Sequence, residues 1–205
     1  AREAARRLGL GAELVLFNSA GSVVEAVKAR QVDLAFVAID PVRAADMEYT
    51  APYVVIEGAY LVRNDSPLQR NDEVDRPGTR VAVGRGSAYD LYLTRALKHA
   101  TLVHAPTSQQ VTETLLGQKL EVAAGVRQQM QADAARLPGL RLLDGRFMEI
   151  RQAMALPKGR PLAQRYLAEF VEDLKASGFV AAALKRHGIE GAAVAPMSSG
   201  GGVAR

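Results

Sequence analysis

The stretch that decides the fold runs from Val32 to Arg63 and reads VDLAFVAIDPVRAADMEYTAPYVVIEGAYLVR. It contains an apolar strand pattern at 34–39, the turn Asp40-Pro41-Val42-Arg43, and a long, nearly uncharged strand pattern at 53–62. A strand that ends in such a turn places a permanent charge at the carboxyl edge of a sheet, where open α/β sheets hold their ligands. The planar guanidinium pairs in two-pronged fashion with a carboxylate or a phosphate, so Arg43 is the first candidate binding residue.

Strand and helix patterns alternate outward from this stretch, which predicts an α/β fold with mainly parallel strands. Further strands are predicted at 12–17, 80–83, 101–104, 121–124, 140–143 and 150–156. Helices are predicted at the chain start up to Gly9, after a capping box at Ser22 and Glu25, at 89–99, from Thr107 to Gly117, at 128–137, from Pro161 to Gly178, and at 179–187. The end of the chain, from Glu190, has the composition of a disordered terminus.

The composition excludes several classes of function. The 205 residues contain no cysteine, which rules out disulfides, thiolate catalysis and cysteine-ligated metals. The three histidines are widely separated, so no metal site is expected. The chain contains no run of 18 apolar residues, so no membrane span is predicted. The net charge of +4 comes from scattered Lys and Arg, and aromatic residues are only 5% with no Trp. Nucleic-acid binding is therefore not expected, since it needs a contiguous basic track or a stacking platform.

The motifs around Arg43, taken in order, resemble the type II periplasmic-binding-protein superfamily. The best match is to the bacterial extracellular solute-binding proteins that deliver polar amino acids to ABC transporters. The matching pieces are Asp33-Leu34, Asp40-Pro41-Val42-Arg43, 49–53 (Tyr-Thr-Ala-Pro-Tyr) and Leu61-Val62-Arg63. The resemblance implies an α/β, two-lobed type II fold, also called a Venus flytrap, that closes on a ligand between its lobes.

The same resemblance implies a discontinuous organisation. Lobe one is expected at 1–62 plus 152–190, lobe two at 63–151, and a flexible tail at 191–205. In the resembling family a signal sequence and a first strand come before the opening helix. The chain is therefore expected to be a mature or truncated form that lacks the N-terminal strand and part of the ligand site.

Two turns carry the implied anion site. Arg43 matches the carboxylate-binding arginine of the family, although the apolar residues before its turn replace the usual polar ones. The glycine-rich turn Gly84-Arg85-Gly86-Ser87 is expected to aim free backbone N–H groups at an anion. Ser87 matches a ligand-binding hydroxyl, and Arg85 adds charge at the rim. By motif alone, Ser87 is equally an ordinary helix N-cap.

The strongest departure from the family lies at 123–127, where amino-acid binders carry an aspartate that pairs with the α-ammonium group of the ligand. This chain has Gly125 or Val126 at that point, followed by Arg127. Glu57, a lone acid in an uncharged strand, is the candidate substitute. The alternative is that Glu57 pairs with an arginine from the other lobe. The expected ligand site therefore includes Glu57 and Arg127, and the ligand is either without the ammonium group or paired elsewhere.

Asn18 and Ser19 match the loop that lines the family's cleft, with a simple turn as the alternative. The predicted function is a solute-binding protein of an ABC importer that holds a small carboxylate-bearing solute, either anionic or zwitterionic. It is expected to be monomeric, periplasmic or extracellular, to dock on a membrane permease, and to need no cofactor and perform no catalysis. One alternative is the sensing domain of a signalling receptor. A cyclohexadienyl-dehydratase-like enzyme would need a general acid where Val126 stands.

Overall fold

A computed structural model describes residues 1–198 of the chain. Its helices are α1 (Arg2–Leu8), α2 (Ala20–Lys28), α3 (Ala88–Ala96), α4 (Val111–Gly117), α5 (Arg127–Arg136), α6 (Pro161–Ala176) and α7 (Phe179–Arg186). Its strands are β1 (Ala35–Ala38), β2 (Met47–Tyr49), β3 (Val54–Arg63), β4 (Arg80–Gly84), β5 (Thr101–Ala105), β6 (Val122–Val126), β7 (Leu140–Leu142), β8 (Met148–Pro157) and β9 (Ala192–Val194). Across the described residues, no helix is both long and apolar enough to cross a membrane.

The strands form one sheet in the order β1-β8-β3-β6-β4-β5, with β2 added to β8 and with β7 and β9 added to β3. Only β4–β5 and β4–β6 are parallel, and the other pairs are antiparallel. The expectation of mainly parallel strands is therefore wrong. Parallel pairing occurs here where a helix crosses between paired strands, while the two long strands β3 and β8 run antiparallel to each other and to each described strand that pairs with them.

The long strand β3 contacts two groups of strands. Along 54–58 it pairs with β8, and at 54–56 its other edge pairs with β9. Along 58–63 it pairs with β6 and β7. We call β1, β2, β8 and β9 with their helices the first part, and β4 to β7 with theirs the second part. The lobe boundaries inferred from the resemblance stay a prediction.

Each part buries its own apolar cluster. In the first part, Leu156, Phe170 and Val171 pack together where α6 covers the sheet. In the second part, Leu61 and Leu115 belong to a cluster enclosed by α4 and α5. Burial of this size, at about 25 cal/mol per Å² of apolar surface, is the main favourable contribution to folding. A further cluster joins the two parts, because it contains Ala38 and Ile150 of the first part together with Val81 and Val122 of the second.

The predicted strand at 12–17 is absent. Residues 11–17 form neither a helix nor a strand, and Leu14, Val15 and Leu16 are exposed, Leu16 by 92%. Apolar residues alone do not make a strand, because its backbone N–H and C=O groups need a neighbouring strand as partner. No strand of residues 1–198 pairs with this segment.

The tail is also more ordered than its composition predicted. Ala192, Ala193 and Val194 form β9, in antiparallel register with Ile56, Val55 and Val54. The flexible-tail prediction is therefore wrong for this stretch, since an exposed edge of β3 offers hydrogen-bond partners that composition does not reveal. Its last residues, 199–205, lie outside the described part of the chain.

Two helix ends differ from the sequence prediction for identifiable reasons. Helix α2 begins earlier, because the Ser19 hydroxyl, not that of Ser22, caps it by accepting the Ser22 N–H at 3.1 Å. Helix α3 ends before residue 99, because Asp75 accepts the backbone N–H groups of residues 98–100 at 2.7–3.0 Å. A carboxylate from a distant loop thus replaces the helical partners of these amides.

Candidate functional site

Arg43 is buried where the two parts of the sheet meet. Its exposure is 3%, and it lies in a 3₁₀ turn directly after β1. One terminal nitrogen donates to the carbonyl of Ala38 in the first part at 3.0 Å, and the other to the carbonyl of Gly86 in the second part at 2.8 Å. Burial lowers the pKa of Arg43, yet a guanidinium stays charged in proteins. The structure therefore holds a buried positive charge whose hydrogen bonds go to neutral carbonyls.

The turn Gly84-Arg85-Gly86-Ser87 lies opposite Arg43, at the carboxyl end of β4. Its backbone N–H groups are already used inside the protein: that of Arg85 donates to Ala105 O, that of Gly86 to Asp90 Oδ2, and that of Ser87 to Gly84 O. The expectation of free N–H groups at residues 85–87 is therefore wrong. An anion at this turn would have to use the Arg85 guanidinium and the Ser87 hydroxyl instead.

Ser87 fills both roles that the sequence left open. Its hydroxyl accepts the Asp90 N–H at 3.1 Å and so caps α3, and it can still donate its own proton. Tyr89, on the first turn of α3, buries a hydroxyl that has no hydrogen-bond partner among the described residues. Burial raises the pKa of Tyr89, while the hydroxyls of Ser108 and Ser87 work in the opposite direction. The start of α3 thus has a polar, incompletely satisfied interior.

Two glycines let the two parts approach closely here. Gly86 has a φ of +69°, which favours glycine, and a Cβ added to it would lie 3.6 Å from the Cα of Gly21 in the first part. Beside this contact is a cavity of about 560 Å³ lined by residues of both parts, among them Phe17, Ser19, Gly21, Ser22, Arg85 and Gly86. Ser19, Arg85 and Gly86 are thus brought together, while Asn18 is exposed and does not line the cavity.

Glu57 and Arg127 are brought together as partners of each other. Glu57 Oε2 accepts from Arg127 Nε at 2.6 Å, and Glu57 Oε1 accepts from Arg146 Nη1 at 3.1 Å. Arg127 also donates to the carbonyl of Gly145. The hydrogen bond from Arg146 lowers the pKa of Glu57, burial opposes the shift, and Arg127 adds to the lowering. Of the two alternatives left open for Glu57, the structure shows the arginine pairing.

Sequence reasoning missed the partners of two further buried acids near this interface. Asp40, buried in the turn before Arg43, pairs with Arg95 at the end of α3 at 2.7 Å. Asp90 accepts from Gly86 N–H at 2.7 Å and lies 2.8 Å from His104 Nε2. The Ser-x-x-Asp spacing of residues 87 and 90 at a helix start could have indicated Asp90. No local pattern indicates Arg95, because its partner is 55 residues away.

The end of β6 contains no acid. Gly125 has no side chain, and a Cβ added there would lie 2.7 Å from Met130 Cε, so the end of the Met130 side chain would have to move. Val126 opposes Gly58 of β3 and lines, with Ile56, Gln128 and Gln131, a second cavity of about 580 Å³ that also touches residues 188–192. The side chain at the position of the expected aspartate is therefore apolar and reaches space between the two parts.

A two-part sheet joined by long strands, with charged and hydroxyl side chains at the meeting edges, defines a solute-binding fold. The chain belongs to the family described as bacterial extracellular solute-binding proteins, family 3, whose model matches residues 1–190. No similar sequence is found among curated proteins.

Solved structures agree on the fold. The amino acid ABC transporter substrate-binding protein AbpA from Streptococcus pneumoniae, bound to L-arginine, is 19% identical with a TM-score of 0.76, over 91% of this chain and 80% of its own. A histidine kinase sensor domain is 21% identical with a TM-score of 0.79, over 95% and 85%. An ancestral amino acid-binding protein, a precursor of cyclohexadienyl dehydratase, is 17% identical with a TM-score of 0.73, over 89% and 80%. At these identities the likeness shows the fold alone.

Proposed function

We propose that this protein is the solute-binding component of an ABC importer and that it holds a small carboxylate-bearing solute between the two parts of its sheet. The observation that carries the proposal is Arg43, a buried guanidinium that bridges the parts through two neutral carbonyls. A carboxylate could replace these weak acceptors with a two-pronged, charge-assisted pair. Arg85 and Ser19 line the adjoining cavity as further donors, and the Ser87 hydroxyl at the start of α3 can also donate its proton.

Binding would couple to motion of the two parts. A carboxylate that touches Arg43 on one side and the turn at 84–87 on the other interacts fully only when the parts are close together. A ligand of this kind shifts the population toward the closed state by its differential affinity for that state. Under this proposal the protein is a monomer outside the cytoplasm that delivers the solute to a membrane permease.

The test is calorimetric titration of the purified chain with a panel of small carboxylates, including amino acids, oxo acids and dicarboxylates. At least one is expected to bind, and Arg43→Met is expected to weaken that binding by about 100-fold, equivalent to about 2.7 kcal/mol. Arg165→Met, which breaks only an exposed pair with Glu169 on α6, is the matched control. Lack of binding by every carboxylate, or equal binding by the Arg43 variant, would refute the proposal.

A second function, ligand sensing in a signalling receptor, is favoured by the likeness to a histidine kinase sensor domain. The site would be the same and only the output would differ. The two are separated by the gene that encodes the chain: a transmembrane segment and a kinase in the same reading frame would establish the sensor.

Catalysis is the remaining alternative, because one structural neighbour is a dehydratase precursor. We propose binding without turnover, since a general acid in the cleft is what such an elimination needs, and Val126 cannot supply one. Incubation with arogenate or prephenate and chromatography of the products tests this point. Formation of a dehydrated product would establish an enzyme.

A further inference from the structure

The carboxylates that reach the meeting point of the two parts are already neutralised by the protein. Asp40 pairs with Arg95, Glu57 pairs with Arg127 and Arg146, and Asp90 binds an amide and the His104 ring. Glu25, which lines the first cavity, pairs with Lys28 at 3.3 Å. Leaving any of these cations or amides without its partner would carry a desolvation cost. None of these acids is therefore free to pair with an ammonium group of a ligand.

Two cations at the meeting point of the parts, Arg43 and Arg85, are not neutralised. Among residues 1–198, neither Arg43 nor Arg85 has a carboxylate at ion-pair distance, and the hydrogen bonds of the Arg43 guanidinium go to the carbonyls of Ala38 and Gly86. The local balance at this interface is thus positive. A ligand with a net negative charge complements it, whereas an ammonium group would add a third unpaired positive charge.

The end of β6 supplies no carboxylate that would offset this positive charge. Gly125 has no side chain, and Val126 lies with Ile56 in the lining of the second cavity. The glutamine side chains of Gln128 and Gln131 at the second cavity are neutral, and Gln128 Nε2 already donates to the carbonyl of Glu190 at 2.6 Å. Glu190 also lines this cavity, but it is exposed, so solvent screens its charge and it would contribute little to pairing with an ammonium group.

From these contacts we infer that the solute is a carboxylate without an α-ammonium group, such as a 2-oxo acid or a dicarboxylate, and that Val126 is a specificity-determining residue that disfavours α-amino acids. The inference rests on the proposed function and narrows it from carboxylates in general to carboxylates without an amine. Two features together disfavour the amino acid: the apolar side chain at 126, and acids that are already paired within the protein.

The first experiment compares matched pairs by calorimetry on the wild-type chain: pyruvate with alanine, oxaloacetate with aspartate, 2-oxoglutarate with glutamate, and phenylpyruvate with phenylalanine. Within the pair that binds best, the oxo acid is expected to bind at least about tenfold more tightly than the amino acid. If an amino acid binds as tightly as its partner or more tightly, the inference is wrong and the proposed function stands. If neither class binds, the proposed function fails and the inference fails with it.

The second experiment places the missing acid. Val126→Asp is expected to shift the ratio of oxo-acid to amino-acid affinity by at least about tenfold toward the amino acid, because the new carboxylate can pair with the ammonium group. The side chain introduced by Val126→Asn has nearly the same shape as that of aspartate but no charge. This variant is therefore expected to keep the affinity ratio within about threefold of the wild-type ratio. An unchanged ratio in a folded Val126→Asp protein would overturn the role of Val126. If that variant does not fold, the wild-type comparison decides the inference alone.

Discussion

The substitution Glu57→Gln tests whether the charged cluster on β3 holds the two parts of the sheet together. Glu57 lies on the strand that contacts both parts, Arg127 begins α5, and Arg146 lies in the loop before β8. The glutamine side chain has almost the same size and keeps one acceptor oxygen. The substitution therefore removes the negative charge and little else.

The magnitude follows from exposure and hydrogen-bond geometry. The side chains of Glu57 and Arg127 are 33% and 18% exposed, and their bond is 2.6 Å long, so this partly buried pair contributes about 1–2 kcal/mol after allowance for solvent screening. Arg146 is 51% exposed, and its pair adds about 0–0.5 kcal/mol. Glutamine recovers about 0.5 kcal/mol through a neutral hydrogen bond. The expected loss is about 0.5–2 kcal/mol, or roughly 1–8 °C in Tm for a chain of this length.

The pH dependence gives an independent check of the same cause. The neighbouring arginines lower the pKa of Glu57 in the folded protein. A lowered pKa stabilises the folded state above the ordinary glutamate pKa of about 4.3, and that stabilisation is lost as the pH falls through the folded value. The gap between wild type and Glu57→Gln is therefore expected to be constant near neutral pH and to narrow as the solution becomes more acidic than about pH 4.3.

The assay is urea denaturation and thermal unfolding of both proteins from pH 7 to pH 3.5, followed by circular dichroism. Glu169→Gln is the matched control, because its pair with Arg165 at 3.2 Å is largely exposed and is expected to contribute about 0.5 kcal/mol or less. A gap below 0.3 kcal/mol at pH 7, equal to that of the control within the precision of such measurements, would refute the reasoning. A gap that does not change on acidification would show that charge is not its cause.

Two further predictions concern the turn of β4 and the loop that ends α3. Gly84→Ala is expected to lower the free energy of unfolding by about 1–3 kcal/mol, because the added Cβ would lie 2.7 Å from the Cα of Ser108. Gly117→Ala is the control, because a Cβ added there has no atom within 4 Å. Equal Tm values for the two variants would contradict the packing argument. Asp75→Asn is expected to lower Tm at pH 7 and to make Tm less dependent on pH in acid. The N–H groups of residues 98–100 lower the pKa of Asp75, so the stabilisation by its carboxylate is lost as the pH falls through the lowered pKa. Coincident acid-denaturation curves for wild type and variant would show that this loop is not held by the carboxylate.

Much of the fold is readable from local pattern. The strand before Arg43, the long β3, the caps at Ser87 and Pro161 and the stop at Gly178 all coincide with elements of the structure. The capping and stop residues act on backbone groups close to them in the chain, so a single sequence contains these signals. The predicted strand at 12–17 is wrong because its existence depends on a neighbour rather than on its own residues.

The candidate site could likewise be predicted only in part. From the sequence, Arg43 and the turn at 84–87 were singled out by their place after a strand and by the resemblance to the family, and Glu57 as the lone acid in an uncharged strand. The sequence also showed that the end of β6 has no aspartate. What it could not determine is which partner each charge takes.

Only the tertiary structure decided that Glu57 is held by Arg127 and Arg146, that Asp40 is held by Arg95, and that Arg43 keeps no acid among residues 1–198. The partners of these pairs are 55 to 89 residues apart in the chain. Electrostatic energy depends on the distance and burial that packing creates, not on sequence separation. The sequence by itself therefore determined the inventory of charges at this cleft, and packing determined which of them remains for a ligand.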